Sequence, residues 1–166
     1  IGEYDALMIR SGTTVTADII EAAGKLRIIG RAGVGVDNVD VPAATKRGVI
    51  VVNSPEGNTI AAAEHALALM LSLSRHVPHA HVSTMAGGWD RKKYVGNELY
   101  KKKLGVVGLG KIGSHVARVA KAMGMELLAY DPFVSPERAQ QMQVKLLPLA
   151  ELFAEADYVS LHLPRT

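Results

Sequence analysis

The sequence has 166 residues, 48% of them apolar, and its 19 basic and 16 acidic side chains give a formal net charge of +3. This composition excludes a disordered or fibrous protein, and the small charge favours anionic small molecules over nucleic acid as partners. The absence of cysteine excludes disulfides and thiolate metal sites. No apolar run has the length of a membrane span and no secretory signal is visible, so we predict a cytoplasmic protein with no membrane partner.

The first 52 residues alternate short apolar runs with helix-like segments, as in β-α-β units. Strands are predicted at 5–10, 26–31 and 49–52, with helices at 17–23 and 41–46. Arg10 and Arg31 each end a strand, and the carboxyl ends of parallel strands border the crevice in which α/β proteins bind ligands. A planar guanidinium suits a phosphate or carboxylate, although a solvated surface arginine is an equally open interpretation at this point.

Turn-forming residues at 53–58 predict a boundary between two domains, one at 1–52 and the other at 53–166. A long helix is predicted from Thr59 to about Arg75, and its expected buried residues are Leu67, Met70, Leu71 and Leu73. Pro78 breaks or kinks it, and a second helical piece runs to about Met85. An irregular arm containing Trp89 follows. The apolar helix and the arm together predict a homodimer or homotetramer.

The most informative stretch is the glycine-rich turn Gly108-Leu109-Gly110-Lys111-Ile112-Gly113. A predicted buried strand precedes it and a predicted helix, 114–123, follows. In such a turn the first glycine permits the bend, the second lets the backbone approach a pyrophosphate, and the third lets the helix pack on the strand. The turn therefore predicts a dinucleotide site, against the alternative of a purely structural glycine-rich turn.

A second apolar run, 127–130, ends in Asp131, 18 residues after Gly113. An acid near this spacing accepts hydrogen bonds from an adenosine ribose and repels the extra phosphate of NADP, so we predict NAD as cofactor. A third strand at 144–147, a helix at 149–153 and a fourth strand at 158–163 complete the pattern. It predicts a Rossmann-type doubly wound parallel sheet that stops short of the usual strand number, and hence an incomplete piece of a longer chain.

These residues resemble the D-isomer-specific 2-hydroxyacid dehydrogenase family over nearly the whole chain. The resemblance rests on the segments at 10–16, 30–40 and 53–55, on Ala63-Glu64-His65-Ala66, on Trp89-Asp90-Arg91-Lys92-Lys93 and on the glycine turn with Tyr130-Asp131-Pro132. It implies that residues 1–52 are part of a flavodoxin-like substrate domain and that the active site lies between the two domains. Arg10, Arg31 and the arm point to the branch that acts on a phosphorylated 2-hydroxy acid.

The resemblance also implies site residues. Substrate contacts are expected from Arg10, Ser11, Arg31, Gly33 and Arg91, the last reaching a neighbouring subunit. Cofactor contacts are expected from Val34, Gly108, Gly110, Lys111, Ile112, Gly113, Asp131, Pro132, His162, Leu163 and Pro164. Val34 stands where some relatives carry a hydroxyl, so only its backbone can contribute. The family's catalytic histidine, its acid and its carboxylate-binding arginine are expected on segments beyond Thr166.

The sequence also offers three other interpretations. His76, His79 and His81 have a spacing that suggests a metal, but Pro78 disturbs the helical geometry and we predict no metal site. The short lysine runs at 92–93 and 101–103 lack a recognition motif, so we predict no nucleic-acid partner. An NAD-sensing corepressor-like binding module of the same fold remains the alternative to an enzyme. The strand-end arginines favour the enzyme.

Overall fold

The computed structural model describes residues 1–163, and these form two compact units. The first is Ile1–Asn58 and the second begins at Thr59. Pro164, predicted to contact the cofactor, lies outside the described residues. The functional boundary at Val52 stays a prediction, because a compact unit that ends at Asn58 does not say where the role of the chain changes.

A parallel sheet of three strands forms the first unit, in the order β1-β2-β3. Its elements are β1 (Ala6–Ile9), α1 (Ala17–Ala22), β2 (Ile28–Arg31), α2 (Val41–Lys46) and β3 (Ile50–Asn53). The predicted start of α2 is confirmed, since the Asp40 carboxylate accepts the Ala43 N–H at 2.9 Å. In the register of the sheet Arg31 lies between Ile9 and Asn53, so three strand ends meet at one edge.

The second unit is an α/β sheet of four parallel strands in the order β6-β5-β4-β7. Its strands are β4 (Lys103–Val107), β5 (Glu126–Tyr130), β6 (Lys145–Leu146) and β7 (Tyr158–Leu161). Its helices are α3 (Thr59–Ser74), α4 (Val77–Met85), α5 (Lys111–Ala122), α6 (Pro136–Gln141) and α7 (Leu149–Glu155). The strand order reverses at β4, and ligands bind at such a switch point in doubly wound sheets. The predicted fold class is confirmed.

Helix α6 was not predicted, although Ser135 and Pro136 are start signals. The Ser135 side chain accepts the Arg138 N–H at 3.3 Å, and proline occupies the first turn. The helix has six residues and one buried side chain, Ala139, so it has almost no apolar period to detect. The predicted irregular arm also contains one ordered turn, a 3-10 helix at Arg91–Tyr94.

The predicted buried face of α3 was partly wrong. Ala63 and Leu67 are buried, but Leu71 and Leu73 are exposed, the latter by 71%. Helix α3 carries apolar side chains on all sides, with few polar ones between them, and one side of it packs against α5. A helix with no polar face gives no periodic signal for the side that is buried. None of the described helices is long and apolar enough to cross a membrane.

Candidate functional site

The glycine turn links the end of β4 to α5 at the switch point of the second sheet. Gly108 has φ +94°, a left-handed conformation that favours glycine, and a Cβ there would lie 2.5 Å from the carbonyl oxygen of His162. The Gly108 N–H donates to the Tyr130 carbonyl at 2.9 Å, and the His162 N–H donates to the Val107 carbonyl at 2.8 Å. The turn is therefore fixed between the ends of β5 and β7.

Gly110 presents open backbone at the start of α5. A Cβ built on it would meet no atom within 4 Å, in contrast to Gly108 and Gly113. The first N–H groups of a helix have no intrahelical partners, and no side chain caps the start of α5. Open space and the positive end of a helix suit an anion such as the pyrophosphate of a dinucleotide, and the contact of this turn with the cofactor stays a prediction.

Asp131 follows β5 and bonds to the turn directly. One carboxylate oxygen accepts the Leu109 N–H at 2.7 Å and the other accepts the Phe133 N–H at 2.8 Å. Each carboxylate oxygen can accept two hydrogen bonds, so acceptor capacity remains for a ribose hydroxyl. The structure thus adds a second task to the predicted one, because Asp131 also holds the glycine turn against β5.

Three further predicted cofactor residues, Pro132, His162 and Leu163, lie at the same edge of the sheet. His162 follows β7, and its Nε2 lies 2.8 Å from Ser160 Oγ. Partial burial lowers the pKa of the His162 imidazole below its ordinary value, which favours a neutral ring at neutral pH. Pro132 and Leu163 are exposed. Phe133 is 94% exposed and was not predicted, although its place beside Asp131 and Pro132 could have drawn attention to it.

A separate cavity of about 340 Å³ lies in the first unit, at the carboxyl ends of its strands. Four of the five predicted substrate residues line it, and the other lining residues were not predicted as site residues. The lining is Arg10, Ser11, Arg31, Ala32, Gly33, Ser54, Gly57 and Asn58. Two arginines and no acid contribute to this lining. The cavity therefore suits a small anion with several oxygen acceptors.

The two arginines of this cavity differ in their environment. Arg31 is only 11% exposed; its Nε donates to Asn38 Oδ1 at 3.1 Å, and Asp37 lies 3.9 Å from its Nη2. A Cβ on Gly33 would collide with Arg31 Nη1, so this glycine makes room for the guanidinium. Arg10 is exposed, and its side chain has no ion-pair partner among the described residues. Arg10 is therefore more available than Arg31 to bind an anionic ligand.

Two asparagines hold the loops around the cavity, and neither was predicted. Asn38 Nδ2 donates to the carbonyls of Arg10 and Thr13 at 2.9 and 2.5 Å. Asn53 Nδ2 donates to the Val34 carbonyl at 2.5 Å. These bonds join the loops that follow β1 and β2 to each other and to the end of β3. The sequence signal was a polar residue in or beside a loop, but such residues are common near any turn.

Two other predicted residues lie apart from these groups. The side chain of Val34 is absent from the lining of the cavity, and its carbonyl is already used by Asn53. Arg91 is exposed on the 3-10 helix of the second unit. The predicted roles of both residues stay predictions. Among residues 1–163 no group of three or more histidine, aspartate or glutamate side chains could hold a metal ion.

The chain that carries the glycine turn and the arginine-lined cavity is similar to known proteins. Residues 67–166 match the family model described as D-isomer specific 2-hydroxyacid dehydrogenase, NAD binding domain. Over its full length the chain is 66% identical to a D-3-phosphoglycerate dehydrogenase of Synechocystis sp. and 54% identical to one of Archaeoglobus fulgidus. It covers 30% and 32% of those proteins, so it spans about a third of the length of the curated relatives it matches.

Solved structures agree with this match. D-lactate dehydrogenase from Aquifex aeolicus, in complex with NAD and lactic acid, aligns with a TM-score of 0.92 and 28% identity, over 99% of this chain and 50% of that one. Formate dehydrogenase from Granulicella aligns with a TM-score of 0.93 and 29% identity, over 99% of this chain and 46% of that one.

Proposed function

Because the chain belongs to the D-isomer-specific 2-hydroxyacid dehydrogenases and carries their NAD-binding domain, we propose that the complete protein oxidises 3-phosphoglycerate to 3-phosphohydroxypyruvate with NAD. This reaction is the first step of serine biosynthesis. The observation that carries the substrate assignment is the cavity with Arg10 and Arg31 at its wall and no acid in its lining. The identity to phosphoglycerate dehydrogenases over the whole chain supports it.

The residues of this chain divide the task. NAD, when bound, supplies the nicotinamide that accepts the hydride from the hydroxyl-bearing carbon. The start of α5 holds the pyrophosphate, and Asp131 holds the adenosine ribose. Arg10 and Arg31 bind the phosphate or carboxylate of the substrate. We assign the base that takes the hydroxyl proton to a segment outside this sequence, as the family resemblance implies.

A substrate screen on the complete protein tests the function. We expect NADH formation with 3-phosphoglycerate and NAD, and little with unphosphorylated acids such as D-lactate. Equal turnover of D-lactate would point to another 2-hydroxyacid dehydrogenase. NAD binding without turnover of any 2-hydroxy acid would favour a corepressor-like binding module.

Cofactor preference is expected to depend on Asp131. The unmodified protein should bind NAD at least about tenfold more tightly than NADP, because the carboxylate repels the additional phosphate. Replacement of Asp131 by alanine should weaken NAD binding and narrow this gap, as measured by calorimetric titration of both cofactors. Asp131→Asn is the comparison variant, since it removes the charge but keeps an acceptor for one of the two loop N–H groups that Asp131 binds. Equal affinity of the unmodified protein for both cofactors would contradict the assignment.

We also propose a homodimer or homotetramer held by the exposed apolar side chains of α3, α4 and the arm. Trp89 is 76% exposed, which argues against its packing within its own subunit. On α3 and α4 five further apolar side chains are more than half exposed, namely Leu69, Leu73, Val77, Val82 and Met85. So many large apolar side chains exposed on neighbouring elements favour a subunit contact.

Trp89→Ala is expected to raise the dimer dissociation constant about 30-fold or more, the usual cost of losing an aromatic anchor. Sedimentation velocity over a range of protein concentrations measures this shift. Phe133→Ala removes an even more exposed aromatic ring outside this surface and should leave the association unchanged. An unaltered assembly in Trp89→Ala would show that the arm does not hold the subunits together.

A further inference from the structure

A second concave surface lies between α5 and α6 in the second unit. We call it the basic groove and define it by Lys111, His115, Arg118, Lys121 and Arg138 with Gln141. Its volume is about 590 Å³, within the range of sites that hold small organic ligands. Neither the predicted cofactor contacts nor the substrate cavity accounts for most of these side chains.

The spacing along α5 creates one wall of the groove. Positions 111, 115, 118 and 121 recur every three or four residues and so share one face of the helix. The opposite face carries Val116, Ala117 and Ala120, which are buried. The cationic face therefore extends about 15 Å along the helix axis, from the glycine turn to the last turn of α5.

Positive charge is concentrated in the groove. Its lysine and arginine side chains carry four positive charges, more than the formal net charge of +3 of the whole sequence. The remaining residues together are therefore slightly negative. No acid contributes to its lining. Within the described part of the chain, Arg118, Lys121 and Arg138 have no ion-pair partner. Soluble surfaces normally intersperse charges of both signs, so this arrangement produces a local positive potential.

Glu137 beside the groove and Arg118 within it each have a neighbouring group that fixes their position. Glu137 precedes Arg138 in the sequence. Hydrogen bonds from its own backbone N–H and from Ser135 lower the pKa of its carboxyl, so its negative charge is directed to the start of α6. Arg118 Nη2 lies 3.0 Å from His115 Nδ1, which holds the guanidinium against the groove wall. A pre-positioned guanidinium loses less conformational entropy when it binds an anion.

From this arrangement we propose that the basic groove binds a small molecule carrying two or more phosphate groups, at a site separate from the NAD pyrophosphate. Several cations around a concavity match a compact polyanion, since each phosphate can accept hydrogen bonds from a different side chain. A nucleic-acid strand fits less well, because the lining offers a single ring for base stacking, that of His115, and its Nδ1 already lies 3.0 Å from Arg118 Nη2.

Calorimetric titration of the complete protein with inorganic tripolyphosphate, in the presence of saturating NAD, tests the proposal. NAD occupies the start of α5, so binding that persists reports a different site. The double variant R118Q/R138Q should weaken the binding of tripolyphosphate at least about tenfold. The charge-matched control K92Q/K93Q on the arm should leave it unchanged. Both pairs are exposed, and circular dichroism should show unaltered folds.

Three results would overturn the proposal. Displacement of tripolyphosphate by NAD would place it at the glycine turn, and equal weakening by both double variants would indicate a nonspecific charge effect. Tighter binding of a single-stranded 20-nucleotide DNA, with the same dependence on Arg118 and Arg138, would identify a nucleic-acid surface instead. The site would be supported if tripolyphosphate affinity fell in R118Q/R138Q but not in K92Q/K93Q, with a smaller fall in Lys121→Gln.

Discussion

Replacement of Gly113 by alanine is expected to destabilise the second unit and to abolish detectable NAD binding. The added methyl group would collide with the carbonyl oxygen of Gly108 and lie 3.3 Å from His162 Cβ. Neither neighbour can move easily, because Gly108 is bonded to the end of β5 and His162 to the end of β4. Overpacking of this kind costs about 3 kcal/mol, which outweighs the gain of about 1 kcal/mol in helix propensity.

Gly110→Ala is the matched control for this experiment. Its methyl group would enter open space, so the free energy of unfolding should change by no more than about 0.5 kcal/mol. NAD affinity should nevertheless fall, because the methyl group occupies the approach to the pyrophosphate site. Thermal unfolding and NAD titration together separate the two effects. A stable Gly113→Ala variant with unaltered NAD affinity would contradict the assigned packing of the turn.

Replacement of Arg10 by glutamine is expected to reduce the affinity for 3-phosphoglycerate by about 10- to 100-fold, with little change in stability. A charge-assisted hydrogen bond contributes about 1.5–3 kcal/mol, and the exposed Arg10 side chain has no other ion-pair partner in the described residues. The Michaelis constant for 3-phosphoglycerate and the thermal midpoint of the variant check both parts of this expectation.

Arg31→Gln should behave differently, because Arg31 also holds the loop that follows β2. Loss of its bond to Asn38 and of its packing over Gly33 should lower both substrate affinity and stability. Arg27→Gln is the control, since Arg27 is an exposed cation that precedes β2 and so lies at the opposite edge of the sheet. If all three variants raised the Michaelis constant equally, a general charge effect would replace the proposed cavity.

Regular elements near the glycine turn were predicted well because their causes are local. The apolar run of β4, the three glycines and the start of α5 lie within about 20 residues, and adjacent strands and helices contact each other directly. The alternation of apolar runs and helices likewise predicted the parallel sheets. Helix α6 was missed because a six-residue helix with one buried side chain has too little period.

What the sequence by itself determined is therefore the fold class, the glycine turn and the strand-end positions of Arg10, Arg31 and Asp131. Tertiary structure decided which of these side chains are already engaged. Asn38 bonds to Arg10, 28 residues away in sequence, and to Arg31, 7 residues away. Asp131 bonds to Leu109, 22 residues away. It also decided which side of the uniformly apolar α3 is exposed, and it brought Arg118 and Arg138 to one groove from two helices. Such choices depend on contacts between distant segments, for which a linear pattern of residue types carries no signal.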